Sequence, residues 1–233
     1  MKAKTINQVI RKKVDAWLAS IEDESVRALA AENTIVTGGC IASMLLGEPV
    51  NDFDLYFRNR ETTLAVAQYY VGRFDPGKKN GIPCAIFIED STERVKIVIK
   101  SAGVASAEGT DKPYKYFEAR PDGESAGYVG EIMGNAGDVQ DAYEETEQKA
   151  LATEDDGKPA YRPVFMSTNA ITLSHRVQIV LRFFGEPDQI HENYDFVHCT
   201  NYWDSKNDHL ELRPAALECL LARELKYVGS RYP

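Results

Sequence analysis

The stretch TGGCIASMLLGEPVNDFDLYF, Thr37 to Phe57, decides how the rest of the chain is read. A short β-favouring run, Thr34 to Thr37, passes straight into Gly38-Gly39, and Cys40 to Leu46 then suits a helix stopped by Gly47, with Pro49 beyond it. Phe53, Leu55 and Phe57 alternate with Asp52, Asp54 and Tyr56, the period of a half-buried strand. A strand that ends in Gly-Gly and feeds a helix presents bare backbone N–H groups at the helix N-terminus, where phosphate binds favourably. Asp52 and Asp54 are two apart, so on a strand both carboxylates leave from one face. Two carboxylates beside a phosphate cradle make a site for hard divalent cations. A tight turn followed by an edge strand with a solvated polar face accounts for the same residues. The order strand, Gly-Gly, helix, D-x-D strand is more specific than either motif alone.

Outward from this stretch the elements alternate. Ile6, Val9, Ile10, Val14, Trp17, Leu18 and Ile21 recur at helical spacing, and Val26 to Ala31 reads as a second helix. Thr62 to Phe74 reads as a helix, and Cys84 to Glu89 with Arg94 to Lys100 as a hairpin. Asn169 to Leu173, Val177 to Phe184 and Phe196 to Trp203 read as strands, with a short helix-like turn from Gly185-Glu186-Pro187 through His191. Pro214 to Tyr227 reads as a closing amphipathic helix with Leu217, Leu220, Leu221 and Leu225 on one face. The fold class expected is α+β (mixed α/β), a central mixed sheet flanked by helices, in a single domain over 1–233.

Composition sets the outer limits. The 233 residues carry 36 Asp+Glu against 27 Lys+Arg, a net charge of −9, with 43% hydrophobic residues. That is a globular composition and not a basic nucleic-acid coat. The acidity is local: residues 108–157 hold 14 acids, 4 bases and 7 of the 16 glycines, leaving the remainder at +1. This segment reads as a long acidic, glycine-rich, partly flexible insertion, with Tyr114, Tyr116 and Phe117 docking it locally. No apolar run approaches the roughly 20 residues of a membrane helix, so no membrane partner and a cytoplasmic location are expected. Cys40, Cys84, Cys199 and Cys219 form no C-x-x-C pair, which suits reduced thiols.

With Gly38, Gly39, Asp52 and Asp54 in this order, the chain resembles the polymerase β-like nucleotidyltransferase superfamily, and G-G-C-I…L-L-G-x-P-V-N-D-F-D-L is similar to the head domain of its CCA-adding and poly(A) members. Those heads continue with Arg-Asp where this chain has Ala42-Ser43, and the clear resemblance covers roughly a tenth of the chain. The region from Val177 to the aromatic-Asp-Phe sequence at Asp195 is similar to short stand-alone viral and phage proteins of the same kind. The resemblance implies a nucleotidyltransferase fold and a third carboxylate, for which Asp195 is the first candidate and Asp204 the second. It implies two Mg²⁺ (or Mn²⁺) ions held by Asp52, Asp54 and Asp195, and transfer of a nucleoside monophosphate from an NTP to an acceptor hydroxyl with release of pyrophosphate. Gly38, Gly39 and Ser43 are then candidates for gripping phosphates, with Lys96, Lys100 and Arg182 as further cations able to face the triphosphate.

The acceptor is an RNA end, a protein or a small molecule. The absence of a broad basic surface counts against an autonomous tRNA-end polymerase. A non-catalytic binding or structural module on the same fold is the competing reading, and an acidic lid formed by the insertion is a third. His191, His198, Cys199 and His209 are near one another in sequence, but their spacing matches no zinc finger or ribbon. His175 reads as a turn or core residue, and Tyr69, Tyr70, Phe183, Phe184, Tyr202 and Trp203 as core aromatics.

Overall fold

Helix α1 (Ala3–Ser20) repeats its apolar residues at the spacing of one helical face, and Ile6, Ile10, Val14 and Trp17 are all buried by it. The chain is seen in a computed structural model that describes residues 1–74, 78–79, 82–91, 94–101, 114–116, 118–119 and 159–229. Helix α2 (Glu24–Asn33) starts at Asp23, whose carboxylate accepts from the Ser25 and Val26 N–H groups. Strand β1 (Thr34–Thr37) is buried throughout and leads through Gly38 into helix α3 (Gly39–Leu46), which Gly47 ends in the left-handed conformation, φ 76°. Strand β2 (Phe53–Phe57) and helix α4 (Arg60–Val71), capped by Asn59 on the Thr62 N–H, complete the first half.

Strands β3 (Lys78–Lys79), β4 (Ile82–Asp90), β5 (Val95–Ser101) and β6 (Tyr114–Tyr116) form an antiparallel meander. Strand β7 (Glu118–Ala119), then β8 (Pro163–Ser167), β9 (Ala170–Leu173) and β10 (Val177–Phe184), return to the main sheet. Helix α5 (Pro187–His191), a 3₁₀ turn (Val197–Cys199), strands β11 (Tyr202–Asp204) and β12 (His209–Glu211), and helix α6 (Pro214–Ala222) finish the described chain. The main sheet runs β12-β11-β1-β2-β10-β9-β8, seven strands, with β7 adding an eighth at the edge. It is mixed: β2 and β10 are parallel and the other pairs antiparallel.

The two sheet faces divide the core. On one face Val36, Leu55, Phe57, Ile179 and Trp203 pack with Trp17 and residues of α2, α3 and α4. The Trp17 indole N–H donates to the Tyr70 hydroxyl at 2.8 Å, which satisfies its polar edge inside this core. On the other face Ile35 and Tyr56 pack with Ile190 of α5, backed by Val180, Phe183, Tyr194 and Tyr202. Residues that carry the candidate chemistry leave from this second face.

Two expected elements differ. The expected strand Phe196 to Trp203 is a 3₁₀ turn followed by a strand only from Tyr202. Thr200 turns the chain, both its N–H and its hydroxyl donating to the Val197 carbonyl. The closing helix stops at Ala222, with Arg223 left-handed at φ 54° and the Glu224 N–H on the Cys219 carbonyl. It stops because the chain must return: the Val197 N–H donates to the Lys226 carbonyl and the Val228 N–H to the Asp195 carbonyl. Its buried residues are Ala216 and Cys219, packed on Val197, while Leu221 and Leu225 of the expected apolar face are 86% and 69% exposed. The acidic insertion, 108–157, lies outside the described residues apart from β6 and β7. No helix among the described residues is long and apolar enough to cross a membrane.

Candidate functional site

Gly38 occupies φ 101°, ψ −152°, a conformation that only glycine adopts without strain. A Cβ placed there would meet the Asp54 Oδ2 at 2.9 Å and the Tyr194 hydroxyl at 3.7 Å. The Asp54 carboxylate is therefore laid directly on the turn that opens α3. Gly38 turns its own N–H to the Cys199 carbonyl at 3.2 Å, and beside it Gly39 is exposed, with nothing within 4 Å of where its side chain would stand. Ser43, half-buried, is four residues on and so on the same helix face as Gly39.

Sheet register extends the site across five strands. Tyr202 stands opposite Thr37, Thr37 opposite Asp54, Asp54 beside Gln178, and Gln178 opposite Thr172. Directly paired residues share a face, so these side chains form one polar row. In the next row on that face Ile35 and Tyr56 are covered by α5 through Ile190, with Val180 beside them, and the row ends at Asp204 opposite Ile35. The polar row is left at the end of the strands where α3 begins. Asp52 sits one residue ahead of β2, half-buried, and burial raises its carboxyl above the usual range. The entry to β2 is tied to the β9–β10 turn: the Phe53 N–H donates to the Arg176 carbonyl at 2.9 Å and the Arg176 guanidinium to the Val50 carbonyl at 3.1 Å.

The thiols and phenols around the acids are held protonated by burial. Burial, then the charges of Asp54 and Asp52, hold the Cys40 thiol well above its normal range, and burial with the Asp54 charge pushes Cys199 up to about 11. Burial and the Asp54 charge also raise the Tyr56 phenol, which is hydrogen-bonded to Tyr194, itself raised by burial. These groups stay protonated at neutral pH and add no charge to that of the carboxylates. Behind them, the Thr37 hydroxyl lies 2.8 Å from the His191 Nε2 and donates to the Asn201 carbonyl at 2.9 Å. Burial and then the nearby Arg213 charge bring His191 down to about 4, so its imidazole is neutral.

Of the residues singled out in the sequence, the structure brings together Gly38, Gly39, Asp52 and Asp54, with Ser43 on the adjoining helix face. Asp195 is not at a strand start: it lies in the bend after α5, exposed, with its Oδ1 turned to Gly229. Its neighbour Tyr194 takes the inward direction. Asp204 is buried on β11 and committed to Arg58, Asn207 and the Lys206 N–H. Lys96 stands opposite Glu89 on β5, in the hairpin that docks by the Ile97 N–H on the Thr168 carbonyl, near the far end of β10 from Gln178. The side chain of Lys100 is outside the described residues, and Arg182 has its guanidinium 5.0 Å from the Phe183 ring centre. His175 is a turn residue at φ 67° whose carbonyl accepts from Lys13, and His209 is exposed beside Glu211. Among the described residues no group of three or more His, Cys, Asp or Glu is arranged around one metal position. The donors at the cleft are hard oxygens from two carboxylates, a set that fits one hard divalent cation completed by water and phosphate. Sequence reading missed Tyr194, Cys40, Cys199 and Gln178 here. Tyr56 was legible as the next residue on the Asp54 face, whereas Gln178 enters only through a strand pairing 124 positions away in the chain.

A protein-family model matches residues 8–223, and the family is described as Gabija anti-defense 2 (Gad2) family protein. Comparison with curated proteins and with solved structures finds no match. The family match corrects the resemblance to the polymerase β-like superfamily: a motif carried by roughly a tenth of the chain gives way to a match over nearly all of it.

Proposed function

The chain belongs to the Gabija anti-defense 2 family, and from that premise and the geometry at Gly38 we propose that it counters a defense system through metal-dependent nucleotidyl transfer. The observation that carries the reading is the Asp54 carboxylate held against Gly38, at a helix N-terminus that is open at Gly39. The finer architecture it would carry is a nucleotidyltransferase-type core of strand, glycine turn, helix and acidic strand. The N–H groups of the first turn of α3 and the Ser43 hydroxyl would bind phosphate oxygens of an NTP. Asp52 and Asp54 would hold an Mg²⁺ or Mn²⁺ ion, which neutralises phosphate charge when bound. The acceptor hydroxyl oxygen forms the new bond to the α-phosphorus, the bond to the bridging oxygen breaks, and pyrophosphate leaves. A carboxylate of the pair takes the hydroxyl proton. The acceptor is an RNA end, a protein or a small molecule.

A second reading, nucleotide binding without transfer, is favoured by one observation: Asp195 faces Gly229 and leaves the acid pair without a third carboxylate from its loop. Incubation of the chain with α-³²P-labelled NTPs, Mg²⁺ and extract from cells with and without the defense system separates the two. Label in polymer or small molecule that disappears in Asp54→Asn supports transfer. Calorimetric NTP binding with no label supports the second reading, and neither binding nor label overturns both.

A further inference from the structure

We infer that His191 is the positioning residue of the Gly38 turn: as its Nε2–H tautomer it donates to the Thr37 hydroxyl, directs that hydroxyl's proton to the Asn201 carbonyl, and so frees the Gly38 N–H to leave strand β1. This role belongs to the turn and is independent of what the cleft binds. Proton counting fixes the tautomer. The Thr37 hydroxyl is fully buried and has one proton, with the Asn201 carbonyl at 2.9 Å, the Cys199 carbonyl at 3.3 Å and the His191 Nε2 at 2.8 Å. Carbonyl oxygens only accept, so the proton goes to a carbonyl, and the nitrogen at 2.8 Å must donate. The other ring nitrogen, Nδ1, is buried with no hydrogen-bond partner among the described residues. The opposite tautomer would leave two buried groups unsatisfied, the Nδ1–H and the Asn201 carbonyl, where the Nε2–H form leaves one lone pair. A ring held neutral by burial and by the Arg213 charge has a single proton to place.

The ladder shows what the Thr37 hydroxyl replaces. The Ser205 N–H donates to the Thr34 carbonyl, and the bonded pairs of an antiparallel ladder recur at every second residue. With Ile35 opposite Asp204, those pairs are 34/205, 36/203 and, next, 38/201. Gly38 breaks the series: its N–H goes to the Cys199 carbonyl at 3.2 Å, and φ 101° turns the chain into α3. Among the described residues the Asn201 carbonyl then has the Thr37 hydroxyl as its donor. His191 fixes the direction of that hydroxyl by placing an N–H on its oxygen. The turn that lays the Asp54 carboxylate on the start of α3 is thereby held from α5.

Long-range ¹H–¹⁵N NMR of the wild-type imidazole at neutral pH tests the tautomer. A protonated Nε2 with a bare Nδ1 is expected, and a protonated Nδ1, alone or together with Nε2, overturns the assignment. Amide hydrogen exchange tests the positioning, with Gly38 read against Val36 of the same strand. In His191→Leu, which has no donor, Gly38 should exchange at least about tenfold faster relative to Val36. His191→Gln, whose amide N–H can reach the same oxygen, should restore the wild-type ratio. Thr37→Val should behave as His191→Leu does and Thr37→Ser as wild type, a pair that carries the same comparison if His191→Leu does not fold. Gly38 and Val36 accelerating together, or His191→Gln exchanging as His191→Leu does, makes His191 a packing residue only and overturns the inference.

Discussion

At Gly38 one missing methyl group serves both backbone and chemistry, since it permits φ 101° and leaves room for the Asp54 carboxylate. Gly38→Ala is expected to cost about 1–3 kcal/mol, the scale of a non-glycine residue in a sparsely populated region, and to abolish nucleotide binding. Urea unfolding and calorimetry on the same variant check both. His191 makes an acid-sensitive contribution. Its folded pKa, about 4, is below the unfolded value of 6.5, so the unfolded chain takes up the proton first. Stability from this residue is complete above pH 6.5 and declines as pH falls towards 4, by an amount on the order of 3 kcal/mol. His191→Asn keeps a polar partner for Thr37 without titrating, and its unfolding free energy should be flatter across that window. Asp204 behaves alike at lower pH: burial raises its carboxyl, but Arg58 and Asn207 outweigh that and hold it below 3.8.

Elements were legible where periodicity and caps agree. α1, with residues on one face at Ile6, Ile10, Val14 and Trp17, and β2, with strict alternation, needed no knowledge of their neighbours. The stretch from Phe196 to Trp203 misled because β-favouring residues there are overridden by a side chain: the Thr200 hydroxyl takes the Val197 carbonyl that a strand would offer to its partner. α6 misled for a different reason. Its leucines are on the face that periodicity selects, yet the helix docks by its small residues, Ala216 and Cys219, on Val197. Leu221→Ser and Leu225→Ser are therefore expected to change stability by no more than about 0.5 kcal/mol. Ala216→Leu should cost about 1–3 kcal/mol by overfilling the contact. Chemical denaturation of the three variants compares them directly.

For the whole molecule the charge of −9 says little about the site, because residues 108–157 carry the excess and the remainder is near neutral. If the cleft binds nucleotide as proposed, the attraction is local, and binding should couple to global stability. Saturating NTP with Mg²⁺ at about 100 times its Kd is expected to stabilise the chain by about 2.7 kcal/mol, an effect that urea melts should find missing in Asp52→Asn.

The sequence by itself determined the local parts of this protein: the strand, glycine turn and helix from Thr34 to Leu46, the two acids that follow, and the mixed α+β class. These depend on backbone conformation and on side-chain period, which are properties of neighbours in the chain. Only the tertiary structure decided the company those acids keep. Gln178 beside Asp54, Tyr194 over Gly38 and Asp195 turned to Gly229 depend on which strands pair and in what register, and pairing between distant segments is settled by burial of whole faces, which no short motif encodes.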